Sequence, residues 1–95
     1  MAKFERQMSA RPSELVRWVD EAVIGGLEAE LVDSSVLQEH GVRVHLWCLK
    51  ISEGSAALQL VAGEGGLVTV TAISACPAFI EKVETLLDEF LPQRS

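Results

Sequence analysis

The sequence predicts an α+β fold: a five-stranded antiparallel sheet in the order 1-5-4-3-2 with two helices packed on one face. Three observations lead there. The spacing of apolar residues changes from a period of 3.6 to a period of 2 at Glu28. Polar segments containing glycine then recur at hairpin spacing, around His40-Gly41, Ser52-Glu53-Gly54 and Gly63-Glu64-Gly65-Gly66. After Pro77 the apolar residues return to helical spacing.

The elements follow in order. Lys3–Met8 alternates, with Phe4, Arg6 and Met8 on one side and Lys3, Glu5 and Gln7 on the other, as a short strand would. Arg11-Pro12-Ser13 begins a helix, since proline fits a first turn where its missing N–H costs nothing. Leu15, Val16, Val19, Ala22 and Val23 form its apolar stripe, bordered by Trp18, and Gly25-Gly26 ends it. Four strands are expected next, at Glu28–Val32, Val42–Ile51, Ser55–Ala62 and Leu67–Ala75. In the last helix Phe79, Ile80, Val83, Leu86, Leu87, Phe90 and Leu91 make one broad stripe, and Pro92 stops it. No linker, internal repeat or low-complexity stretch divides residues 1–95, so they read as a single domain.

Parity orders the sheet. A helical crossover returns the chain in its starting direction, so the first and second strands run the same way. Three hairpins then reverse the fifth strand relative to the second, and therefore relative to the first. The first strand can pair antiparallel beside the fifth. This β-α-β4-α order resembles the fold of the TATA-box-binding protein, which also hosts helix-grip ligand-binding proteins. The likeness is one of topology, and fold does not fix function.

A second resemblance lies in the residues. Leu31-Val32-Asp33-Ser34-Ser35, Val42-Arg43-Val44-His45-Leu46 and Val68-Thr69-Val70-Thr71-Ala72-Ile73-Ser74-Ala75 look like a family of small bacterial proteins classed as a domain of unknown function. The shared pattern is an amphipathic helix, an L-x-D-S-S turn, an R-V-x-V strand and an A-I-S-A strand end. Cys76-Pro77 stands where that pattern has glycines. The resemblance implies the architecture and no activity.

Composition excludes several functions. With 48% hydrophobic and 23% charged residues the chain is globular rather than disordered. No apolar run approaches the roughly 20 residues that span a bilayer, and Met1–Pro12 lacks the apolar stretch of a signal peptide. A cytoplasmic protein is expected. The net charge of −6, with basic residues scattered, argues against nucleic acid and anionic membrane, because counterion release from phosphates requires clustered cations. Cys48 and Cys76 form no C-x-x-C pair and have no histidine at metal-ligand spacing, so two reduced thiols are expected and neither a metal nor a cofactor is implied.

Candidate chemistry is sparse. Cys76 precedes the second helix, where the helix dipole favours a thiolate, and is the candidate reactive thiol; as a nucleophile it would also need a base and oxyanion donors. His45 on the third strand could act with Glu30 on the adjoining strand, although a polar sheet residue is the simpler reading. Asp33-Ser34-Ser35 reads as a turn for backbone reasons. The glycines of Gly63–Gly66 join two strands, without the helix N-terminus that cradles phosphate. No catalytic set emerges.

The sheet's outer face is more informative. Alternation is read as turning Val42, Val44, Leu46 and Cys48 toward the helices, with Ala56, Leu58, Leu60, Val68, Val70 and Ala72. That leaves Arg43, His45, Trp47, Leu49, Ile51, Val61, Leu67, Thr69, Thr71 and Ile73 outside, an apolar surface where a two-layer domain is usually polar. An interaction module follows, pairing this face with a copy of itself or another protein, with Trp47 as the anchor. The alternative is a small apolar ligand held between sheet and helices, or an enzyme using Cys76.

Overall fold

The structure, a computed structural model, describes residues 1–91. β1 (Ala2–Ser9) keeps the alternation of its sequence: Met8 is buried, while Lys3, Glu5 and Gln7 are exposed on the other side. Arg11 in extended conformation (φ −81°, ψ 127°) caps α1 (Pro12–Trp18), and Pro12 occupies its first turn. Past Trp18 the helix continues as a π-helical stretch, Val19–Gly25. Gly26 sits so close to the preceding turn that a Cβ there would lie 2.3 Å from the Ala22 carbonyl oxygen. Only glycine allows that approach.

β2 (Glu30–Glu39), β3 (Val42–Ile51), β4 (Gly54–Ala62) and β5 (Leu67–Ser74) form the meander, and α2 (Pro77–Phe90) closes the fold. The sheet is antiparallel throughout in the order β1-β5-β4-β3-β2. Parity predicts this order correctly. Pro92, expected to stop the last helix, lies outside the described residues.

Two expectations are corrected. β2 is twice as long as the alternation of Glu28–Val32 suggests: Asp33, Ser34 and Ser35 are strand residues, paired with Cys48, Trp47 and Leu46. A bulge between Leu31 and Asp33 absorbs one residue and resets which side chains face which way. The reversal itself comes at His40 (φ 51°) and Gly41 (φ 79°), two left-handed residues in succession, as a tight hairpin matched to strand twist requires.

The second correction concerns β3. Trp47, Leu49 and Ile51 are buried, and Val42 and Leu46 are exposed. Trp47 pairs with Leu58 and Leu49 with Ala56, so they share the helix-facing side with those β4 residues. The expected outward position of Trp47, Leu49 and Ile51 is therefore reversed. The cause is the β3–β4 turn. Gly54 already pairs with Ile51, leaving Ser52 and Glu53 alone as the loop. Counting that loop as three residues instead of two turns every β3 side chain over.

α2 lies across β1 and β5, and α1 packs on β4. Between the layers Leu15, Val19, Val23, Val83 and Leu87 meet Leu49, Leu58, Leu60, Val68 and Val70, all essentially inaccessible to water. Arg6, on the helix side of β1, binds Glu84 at 3.2 Å and also Asp88, which ties β1 to α2. β2 lies beyond this cover, and every one of its residues is exposed.

Candidate interaction face

The face away from the helices is built by the same registers. β5 contributes Leu67, Thr69, Thr71 and Ile73, all partly or fully exposed, opposite the buried Val68, Val70 and Ala72. β4 contributes Ser55, Ala57, Gln59 and Val61, and β3 contributes Val42, Val44, Leu46 and Cys48. Not one of these twelve side chains is charged. Toward the apolar end, Val32, Cys48, Ala57 and Ile73 line a shallow depression.

Charges stand at the rim. β1 presents Lys3 and Glu5, and the Thr71 hydroxyl donates a hydrogen bond to the Glu5 carboxylate at 3.4 Å. β2 presents Asp33 and Glu39, whose partners Cys48 and Val42 belong to the same face. Lys50 ends the β3 row. An uncharged centre inside a charged margin is the usual anatomy of a protein–protein contact.

The residues expected on this face divide. Val61, Thr69, Thr71 and Ile73 are on it. Trp47, Leu49 and Ile51 are in the core, and Arg43 and His45 share their side of β3. Val42, Val44, Leu46 and Cys48, expected inside, take their place. The patch survives with a different strand filling.

His45 and Arg43 extend the helix side of the sheet past the helices. The His45 ring stacks on Trp47, with centroids 5.6 Å apart and planes 19° apart, and Arg43 donates to Gln38 at 3.3 Å. Burial first, and the Arg43 guanidinium second, hold the His45 imidazole below its ordinary value of 6.5. Its cross-strand neighbour on β2 is Val36 and Glu30 pairs with Lys50, so the two residues that a catalytic reading of His45 would need are not brought together.

Cys76 is half-buried, in extended backbone (φ −103°, ψ 102°) at the N-cap of α2, and its N–H donates to the Ser74 hydroxyl at 3.0 Å. Ser74 in turn donates to the Ser55 carbonyl at 2.9 Å, so the polar atoms at this corner serve the strand-to-helix turn. His45 pairs with Leu60, four residues along β4 from the Ala56 that pairs with Ser74, a separation of roughly 13 Å along the strand. The thiol and the imidazole are not brought together. Cys48 and Cys76 are both free, as expected.

Among the described residues no three of His, Cys, Asp and Glu are grouped as metal ligands, and no helix is long and apolar enough to cross a membrane. No family model matches the chain, and neither a curated protein nor a solved structure gives a match.

Proposed function

We propose that the protein is a non-enzymatic interaction module that self-associates through the outer face of its sheet. The observation that carries this reading is the uncharged surface spanning β3, β4 and β5, uncovered by either helix and bounded by charged residues on β1 and β2. Eight of its twelve side chains are apolar, with Ser55, Gln59, Thr69 and Thr71 between them, and monomeric soluble proteins seldom leave so much apolar surface gathered on one face open to water. The packed space between sheet and helices supports an interaction role over the ligand-holding alternative, since five apolar residues from each layer fill it.

Val61 is the site to test. It lies on the middle strand, is partly exposed, and has no part in the buried core. Light scattering and native mass spectrometry across a concentration series should find dimers of the wild-type protein. Val61→Asp should place a charge on the middle strand of the contact, between Val44 and Thr69, and yield a folded monomer. A wild-type protein that remains monomeric to high concentration, or a dimer indifferent to Val61→Asp, would overturn the reading.

A further inference from the structure

The outer face carries an asymmetry that bears on how a second copy would sit. The register Lys3↔Ile73, Ile73↔Ala57, Ala57↔Cys48 and Cys48↔Asp33 forms one row across all five strands. A cation stands at its β1 end and an anion at its β2 end. Lys3 and Asp33 are both exposed, and neither forms an ion pair with a described residue.

We infer that the occupant of this face is a second copy related by a two-fold axis running along β4, so that Lys3 of each copy meets Asp33 of the other. This rests on the proposed self-association and fixes its geometry. The sheet order makes β4 the middle strand, with two strands on either side. Rotation about an axis along that strand lays β1 over β2 and β5 over β3 while leaving each row at its own height. Lys3 then faces Asp33 twice per dimer, and Ile73 faces Cys48. Rotation about an axis across the strands at mid-sheet, the placement that keeps the two faces fully overlapped, lays each strand on itself; Lys3 then meets Ser9 and Asp33 meets Glu39, so neither charge meets an opposite one.

The expected sheet-on-sheet angle of roughly 30° displaces the row ends by about 5 Å, within the span of a lysine side chain. Five strands at roughly 4.8 Å spacing, and about seven residues at ~3.3 Å each, give a footprint of about 450 Å² before side-chain relief. With that relief it approaches the roughly 600–800 Å² per partner of a small stable interface.

The test is a charge exchange read by the dimer dissociation constant. Lys3→Asp makes the net charge of −6 more negative and Asp33→Lys makes it less so. If only overall repulsion mattered, the two variants would shift dimerisation in opposite directions. Pairing across the two-fold predicts that each single variant weakens the dimer by about tenfold at low salt, because each sets like charges face to face twice. The double variant Lys3→Asp, Asp33→Lys should recover most of the wild-type affinity. Circular dichroism would establish that each variant folds, and raised salt should shrink the differences between them.

The outcomes separate the two readings. A dimer abolished by Val61→Asp yet unmoved by either charge reversal, or opposite shifts from the two reversals, would overturn this geometry and leave the face as the contact. A wild-type monomer, or a dimer that tolerates Val61→Asp, would overturn both.

Discussion

Trp47 shows how a single residue's role depends on which way its strand faces. As an outward residue its loss would alter assembly and leave the monomer intact. Buried at 5% exposure and stacked on His45, it is a core residue. Trp47→Ala should therefore lower the free energy of unfolding by about 3–5 kcal/mol, the usual result of emptying a large aromatic site, as measured by urea denaturation. A loss under about 1 kcal/mol would contradict the packing described. His45 adds a pH dependence. Its folded-state value lies below 6.5, so the unfolded chain binds the proton more readily. The associated stability is fully present above pH 6.5 and is lost as the pH falls through the lowered folded value. Denaturation midpoints measured between pH 7.5 and 5 should fall less for His45→Gln than for the wild type.

At the scale of elements, most boundaries were legible in the sequence. β3 is bounded as expected, and β1, β4 and β5 differ by a residue at their ends, because alternation and glycine-rich turns mark strands directly. The order of the sheet followed from parity, which needs only the sequence of helices and hairpins. Three features were not legible. Asp33, Ser34 and Ser35 have turn chemistry, and a bulge at Val32 interrupts the alternation that would have revealed a strand. On β3 both faces are apolar, so hydrophobicity could not choose between Leu46 and Trp47; the length of the Ser52-Glu53 loop chose instead. Hence the outward positions of Val61, Thr69, Thr71 and Ile73 were legible in the sequence, whereas those of Val42, Val44, Leu46 and Cys48 were not. The π-helical stretch also left no periodic signature distinct from an ordinary helix, but Gly26 records it. Gly26→Ala should destabilise the protein by about 1–3 kcal/mol, because the new Cβ would stand 2.3 Å from the Ala22 carbonyl oxygen, which is backbone and cannot swing aside. Gly63→Ala, with nothing near its Cβ position, is the control in the same thermal melts.

For the molecule as a whole, charge and cover act together. The acidic balance of −6 and the uncharged centre of the sheet leave no cationic track for a phosphate backbone. Mixed-sequence DNA and RNA should show no binding in the micromolar range at physiological salt by fluorescence anisotropy, and binding there would refute the expectation. The order β1-β5-β4-β3-β2 also has a consequence in time. Of the five strands β1 leaves a ribosome first, and its partner β5 is the last of them. During synthesis Ala2–Ser9 waits unpaired, with Phe4 and Met8 uncovered, until Ser74 has emerged, while β2 through β4 can already zip by adjacent hairpins. Closing the sheet spans almost the full described chain, the kind of distant pairing that slows folding. β1 is thus exposed from its own emergence until β5 follows, and a chaperone that shields Ala2–Ser9 over that interval would act on the strand that most needs it.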